Sequence, residues 1–184
     1  MISLRPQPAH PINQARFFAV STGKLVVMSL MTLGLYEIYW LYKHWQLERD
    51  ATGEDLSPFW RAVFGPLFAF SLFRRIRDAA LQAGADTALP STGLAVGYFI
   101  LMSTWRLPDP LWLVSLLSFL PLMPIQAAVR RINAKVAPEA PLNDRFTLAN
   151  VMIIVLGTLA LFFAILGSIP QTPTTPSAPR SVAT

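Results

Sequence analysis

Apolar and polar residues follow one another along this chain in long blocks. Three blocks, residues 87–105, 110–129 and 146–169, contain no Asp, Glu, Lys or Arg, and the block at 25–42 contains one acid, Glu37. Each is about as long as the roughly 20 residues that a helix needs to cross the hydrocarbon core of a bilayer. The pattern predicts an all-α fold, a polytopic transmembrane helical bundle.

A further block, residues 57–73, leaves the number of spans open. Only about 18 Å of helix fits between Arg61 and Arg74, too short for a crossing unless Arg61 snorkels toward the headgroups. A full crossing gives five spans, whereas a re-entrant or interfacial helix gives four. The five-span arrangement places most Lys and Arg residues on one side, as the positive-inside rule requires. We therefore expect five spans and a cytoplasmic N-terminus.

The five-span arrangement divides the chain into three parts. Residues 1–23 form a cytoplasmic segment, residues 24–169 form the transmembrane domain, and residues 170–184 form a Pro/Thr/Ser-rich tail with too few apolar residues to order itself. The topology depends on a cytoplasmic basic cluster consisting of Arg74, Arg75, Arg77, Arg130, Arg131 and Lys135.

Short matches between the two halves of the chain indicate a parallel repeat of a helical hairpin. The matching segments are Thr22-Gly23 with Thr92-Gly93, Pro58-Phe59-Trp60 with Pro110-Leu111-Trp112, and Arg74-Arg75-Ile76 with Arg130-Arg131-Ile132. Aromatic residues are common at membrane interfaces, and arginines are common at the cytoplasmic ends of spans, so both would produce part of this agreement without any duplication. Duplication and chance agreement both remain open at this point.

Composition supports a membrane protein and excludes several classes of site. The chain is 53% hydrophobic and 14% charged, with a mean hydropathy of +0.46, so lipid is its main solvent. The net charge of +5 lies mostly at predicted helix ends, where it serves topology, and we expect no nucleic-acid partner. The absence of cysteine excludes disulfides, thiolate metal sites and a cysteine nucleophile.

Motifs that would indicate an enzyme are missing from the sequence. There is no phosphate-binding glycine loop, nucleophile elbow or His-Glu-x-x-His helix, and the two histidines, His10 and His44, are far apart. We therefore expect no enzymatic activity, no catalytic residue, no metal site and no cofactor.

Glu37 is the most informative single residue because an acid inside a span usually faces a bundle interior or a wet cavity, with a partner. It lies about 12 Å from the helix end if the first helix ends near Trp45. Arg61 begins the neighbouring block and could reach it, so we predict a Glu37–Arg61 polar pair. The pair either fixes helix register or, as an alternative, belongs to an ion or proton pathway.

Aromatic residues cluster where the first four spans would meet the outer membrane interface. Tyr and Trp are enriched at such interfaces because their rings combine an apolar body with a polar tip. We predict interfacial positions for Tyr39, Trp40, Trp45, Trp60, Trp105 and Trp112.

Residues 36–43 have the pattern Tyr-x-x-Tyr-Trp-x-Tyr-Lys, and Ser57-Pro58-Phe59-Trp60-Arg61-Ala62 follows. These segments resemble a group of small bacterial multi-pass inner-membrane proteins to which no activity is assigned. The resemblance covers about residues 18–169 and implies a location in the bacterial cytoplasmic membrane. It carries no assignment of site residues.

Two functional classes follow from these observations. We expect a non-enzymatic structural or accessory component of a membrane complex, whose partners are the lipid bilayer and a membrane protein or a second copy of the chain. The alternative is a small transporter or channel subunit that uses Glu37 as an intramembrane site.

Overall fold

The computed structural model describes residues 15–85 and 88–168, and within these ranges all regular secondary structure is helical, with no strands. The all-α prediction is therefore confirmed. The α-helices are α1 Thr22–Met31, α2 Leu35–Thr52, α3 Pro58–Val63, α4 Gly65–Gln82, α5 Ser91–Ser103, α6 Phe119–Val136 and α7 Leu148–Gly167. Two 3₁₀ segments, Thr104–Arg106 and Leu111–Ser118, lie between α5 and α6.

In the described part of the chain, two helices are long and apolar enough to cross a membrane. One is the continuous helical stretch Leu111–Val136, and the other is Leu148–Gly167. The five-span bundle is not confirmed, because two of the predicted spans are each divided into shorter helices.

The first predicted span is interrupted by a turn at Thr32–Gly34. Leu33 and Gly34 have φ angles of 52° and 86°, which end a right-handed helix, and the Gly34 N–H donates to Ser29 O at 2.8 Å. Residues 17–19, which precede α1, line one cavity together with residues 46–50 of α2. The chain therefore reverses direction, and α1 and α2 form a hairpin.

The block at 57–73 is also divided into two helices. Helix α3 ends at Val63, and α4 begins with Gly65-Pro66. Proline is tolerated there because the N–H groups in the first turn of a helix have no partner within the helix. Arg75 of α4 donates a hydrogen bond of 2.8 Å to Glu54, which precedes α3. Helices α3 and α4 therefore form a second hairpin, whose two ends lie at the same end of the bundle.

Hydrogen bonds and ion pairs connect most of the charged residues at one end of the bundle, which we call the charged end. Glu48 of α2 contacts both Arg16 and Arg75. Further links are Lys24 Nζ to the carbonyls of Asn143 and Arg145, Arg130 to Asp144, and Lys135 to the carbonyl of Gly84. At the opposite, far end, the Trp112 indole N–H donates to Ser168 Oγ at 3.1 Å.

The described part of the predicted cytoplasmic segment belongs to the core, so no structural boundary occurs at residue 23. Phe17 and Val20 are fully buried, and Phe17 exchanges two hydrogen bonds with the Asn133 side chain, at 3.2 and 2.7 Å. Residues 1–14, Ile169 and the predicted tail at 170–184 lie outside the described residues.

The predicted hairpin repeat does not extend to the helices themselves. Both Arg-Arg-Ile segments do lie at the charged end, on α4 and α6. However, residues 22–82 fold as two short hairpins, whereas residues 91–136 form one longer hairpin. The short sequence matches therefore do not correspond to equivalent structural units.

Helix α7 packs against α1 along one narrow seam. The residues of α7 that are less exposed than the others recur every three to four positions, at Asn150, Ile154, Gly157, Leu161 and Ala164. Gly157 is the closest point of this seam, because a Cβ atom there would lie only 2.6 Å from the Met31 carbonyl carbon.

Replacing Gly157 by Ala should therefore separate α7 from α1. Overpacking of this kind typically lowers stability by about 1–3 kcal/mol, so we expect Gly157→Ala to lower the melting temperature in detergent by several degrees. Gly93→Ala is the matched control, because a Cβ there meets no atom within 4 Å. Equal melting temperatures for the two variants would contradict the seam.

Candidate functional site

The buried face of α2 carries an unusual number of polar side chains. The residues on this face are Tyr36, Glu37, Trp40, Leu41, His44, Trp45 and Glu48. They recur at helical spacing and form three successive layers, centred on Glu37, His44 and Glu48. About 16 Å of helix axis separates the first acid from the last. This face is the candidate site.

The Glu37 layer lies just after the turn between α1 and α2. The Glu37 side chain is fully buried, and its Oε1 accepts a hydrogen bond of 2.8 Å from the Ser118 hydroxyl. The hydroxyls of Ser29 and Tyr98 also face the carboxylate and interact with it. Glu37 thus lies where α1, α2, α5 and the 3₁₀ segment Leu111–Ser118 meet.

The predicted Glu37–Arg61 pair is wrong. The Arg61 guanidinium lies over the rings of Trp45 and Phe68, with its Cζ 4.5 and 5.2 Å from their centroids. Arg61 therefore points toward the charged end, whereas Glu37 points into the bundle at the other end of α2. Spacing along the sequence identified both residues as unusual but not the direction of either side chain.

The middle layer connects α2 to the N-terminal segment and α6. Trp40 Nε1 donates to Gln126 Oε1 at 2.7 Å, and Gln126 Nε2 donates to the Val20 carbonyl at 3.0 Å. His44 Nδ1 is 2.9 Å from the Trp40 carbonyl, which can only accept, so Nδ1 carries the proton. Phe17 stacks on the imidazole at 6.0 Å between centroids. Sequence reasoning missed Gln126, an amide inside an apolar block.

The third layer is an ion-pair cluster centred on Glu48, whose side chain is 2% exposed. Arg16 Nη1 lies 2.7 Å from Oε2, and Arg75 Nη1 donates to Oε1 at 3.0 Å. Arg75 also binds Glu54 through both terminal nitrogens, at 2.9 and 2.8 Å. The cluster joins the N-terminal segment, α2, α4 and the intervening loop.

The Arg75 guanidinium holds the pKa of the Glu54 carboxyl below its usual range. Because a depressed pKa favours the folded, ionised form, this contribution to stability is present at neutral pH. It is lost as the pH falls through the lowered pKa.

The aromatic residues predicted at the interface divide into two groups. Tyr39, Trp60 and Trp105 are exposed, and Trp112 is partly exposed. For Trp40 and Trp45 the prediction is wrong, because both are 0% exposed. Trp40 is held by Gln126, and Trp45 lies against the guanidinium groups of Arg61 and Arg75.

The predicted basic cluster lies together at the charged end. Arg75 belongs to the Glu48 cluster, Arg77 pairs with Asp78 at 2.7 Å, and Arg130 pairs with Asp144 at 2.8 Å. Lys135 donates to the Gly84 carbonyl. The two remaining members, Arg74 and Arg131, are exposed on α4 and α6.

The described residues contain no group of three or more His, Cys, Asp or Glu side chains that could hold a metal ion. No family model, no curated protein and no solved structure matches the chain.

A double-mutant cycle tests the Glu48 cluster. Glu48→Gln leaves Arg16 and Arg75 without their shared acid, and Arg75→Gln leaves Glu48 and Glu54 without one of their bases. We expect each variant to lower the free energy of unfolding by about 1–3 kcal/mol, less than for a fully buried pair, because Arg16 and Arg75 are partly exposed. The double variant should lose less than the sum. Asp50→Asn is the control, since the Arg49–Asp50 pair lies on the surface. Strict additivity, measured by thermal unfolding in detergent, would contradict the cluster.

Proposed function

We propose that this protein is an integral protein of the bacterial cytoplasmic membrane, with its charged end in the cytoplasm. The distribution of basic residues supports this orientation. Among the described Lys and Arg residues, Arg106 is the one that lies at the far end, and the others belong to the charged end or point toward it. The positive-inside rule assigns such an end to the cytoplasm. The resemblance of residues 36–43 to bacterial inner-membrane proteins agrees with this location.

The proposed topology has three spans and two re-entrant hairpins. The spans are α5 with its following 3₁₀ turn, Leu111–Val136, and α7. The hairpins α1/α2 and α3/α4 enter the membrane from the charged end and return to it. The contacts of Glu48 with Arg16 and of Glu54 with Arg75 support this arrangement, because five spans would put the members of each pair on opposite sides.

Single-cysteine labelling distinguishes the two topologies, since the chain has no native cysteine. We expect a membrane-impermeant thiol reagent to modify Asp50→Cys and Asp78→Cys only from the cytoplasmic side, and Asp109→Cys only from the opposite side. The unsubstituted protein is the control for background labelling. Labelling of Asp50→Cys from the same side as Asp109→Cys would contradict the hairpins and restore five spans.

Within the membrane, we infer a structural or accessory role in a complex. The observation that carries this inference is the exposure of α7, because none of its 20 residues is buried. The helix contacts α1 and leaves the opposite side, including Leu159, Phe162 and Phe163, free of the rest of the bundle. A lipid-embedded helix held by one seam presents a broad surface to a membrane-protein partner.

Purification in nanodiscs followed by quantitative mass spectrometry tests this role. We expect a second membrane protein, or a second copy of this chain, in a fixed ratio to the protein. Leu159→Ala with Phe163→Ala should remove it without lowering thermal stability. Ile100→Ala on exposed α5 is the control that should retain it. Absence of any stoichiometric partner or second copy would contradict the accessory role.

A second candidate function is a small transporter or channel subunit. It is favoured by one observation, that the Glu37 carboxylate is fully buried beside the turn between α1 and α2 and takes part in none of the ion pairs of the described residues. Intramembrane acids next to interrupted helices commonly bind transported ions. Solute uptake into proteoliposomes that is abolished by Glu37→Gln would place this function first.

A further inference from the structure

The face of α2 that points away from the buried polar layers changes character along the helix. Its first half carries Leu35, Ile38, Tyr39 and Tyr42, and its second half carries Lys43, Gln46 and Asp50, all of them at least partly exposed. These positions recur every three to four residues, so they form one stripe along the helix. The outer stripe runs from the turn between α1 and α2 to the charged end.

The first half of the outer stripe lines an apolar cavity of about 370 Å³. Helix α3 forms the opposite wall through Phe59, Ala62 and Val63. Every described residue that lines this cavity is apolar or aromatic. Apolar cavities exclude water and accept apolar molecules. Within a bilayer, the molecule that meets this requirement is a lipid acyl chain.

A second cavity, of about 490 Å³, adjoins the first at Tyr39, whose side chain lines both. Its walls are the second half of the outer stripe, residues 17–19 of the N-terminal segment, and the loop residues Pro141 and Asn143. The ring of Tyr39 packs edge-on against Phe18, with 5.8 Å between centroids. Both volumes lie within the roughly 300–1,000 Å³ that is typical of ligand pockets.

Lys43 gives the second cavity its positive charge. Its Nζ donates to Gln46 Oε1 at 3.0 Å, and none of the ion pairs of the described residues includes it. An ammonium carries three donors, and the Gln46 amide nitrogen carries two more, so the pair can also bind an anion. Asp50 accepts two hydrogen bonds from Arg49, at 3.0 and 2.9 Å, which compensate its charge. The cavity therefore favours an anionic group beside Lys43.

The length of the outer stripe matches the thickness of one leaflet. Lys43 lies about 12 Å along the helix axis from Leu35, and Asp50 lies about 10 Å further on. One leaflet contains roughly 15 Å of hydrocarbon and about 5–7 Å of headgroup region. If the hairpin enters from the charged end, Lys43 is near the boundary between the two, where lysine extends its ammonium toward the headgroups.

We propose that the outer stripe binds one anionic diacyl phospholipid of the phosphatidylglycerol class from the cytoplasmic leaflet. Its phosphate contacts Lys43 and Gln46, and one acyl chain lies between α2 and α3, against Ile38 and Val63. A zwitterionic lipid fits less well, because its own cation would enter a cavity that already has a positive charge. The inference rests on the proposed membrane location and orientation and is independent of the partner of α7.

Native mass spectrometry of the full chain released from nanodiscs tests the site. The nanodiscs contain phosphatidylglycerol and phosphatidylcholine in equal amounts, with identical acyl chains. We expect a single phosphatidylglycerol per chain to be retained at a collision energy that removes phosphatidylcholine. Lys43→Gln should lower this retention about fivefold, the factor expected for one basic residue near an anionic lipid, and Lys43→Arg should keep most of it. Val63→Trp should also lower retention, because the larger ring occupies the apolar cavity.

Matched variants outside the two cavities separate a specific effect from a general one. Arg74→Gln removes a positive charge from the exposed surface of α4, and Leu67→Trp adds the same large ring at an exposed position of that helix. Both should retain phosphatidylglycerol as the unsubstituted protein does. The ratio of the two lipids on the unsubstituted protein gives a reading that does not depend on whether a variant folds.

Three results would overturn the proposal. One is equal retention of the two lipids by the unsubstituted protein, which would identify ordinary boundary lipid. The others are retention of phosphatidylglycerol that is unchanged in Lys43→Gln or unchanged in Val63→Trp. Extraction of vesicles with sodium carbonate distinguishes these failures from failure of the proposed function. A protein that stays in the membrane without a lipid preference contradicts the lipid site alone, whereas an extracted protein contradicts the membrane location as well.

Discussion

The fold depends on the buried carboxylate of Glu48 and its contacts with Arg16 and Arg75. Removing an acid this deeply from water is unfavourable unless opposite charges accompany it. The two arginines come from segments on either side of α2 in the sequence, so their contacts determine where those segments lie. The end of α2 cannot be at the far end of the bundle while its acid is paired with α4 and the N-terminal segment. The chain direction in residues 16–82 agrees with that constraint.

A second set of interactions has the same effect through the backbone. Gln126 and Asn133 of α6 donate to the carbonyls of Val20 and Phe17, in a segment that has no regular secondary structure of its own. Unpaired main-chain groups are costly in an apolar interior, and side-chain amides are well suited to satisfy them. Two amides separated by two helical turns therefore hold residues 15–20 in the core. The charged end is consequently a packed structure rather than a set of loops.

The sequence was sufficient for the helical class, for the approximate bounds of α7 and for the common location of the basic cluster. Block length and charge placement determine those features directly. It was insufficient for the turns at Thr32–Gly34 and Gly65-Pro66, because an apolar block of given length fits one long helix or two short ones equally well. Gly and Pro, the residue types at these turns, also occur inside membrane helices, so their presence alone does not predict an interruption. The partner of Glu37 was missed for a related reason: Ser118 is 81 residues away, and no local pattern indicates such a contact.

The scarcity of charge at the far end bears on how the chain enters a membrane. With the charged end in the cytoplasm, re-entrant hairpins require no translocation of their connecting segments. Among the described loops, only residues 104–110 would then have to be carried across the bilayer before α6 returns. That loop contains one basic and one acidic residue, Arg106 and Asp109. Within the described part of the chain, the desolvation of charge during biogenesis would thereby be confined to one Arg and one Asp in a single short hairpin.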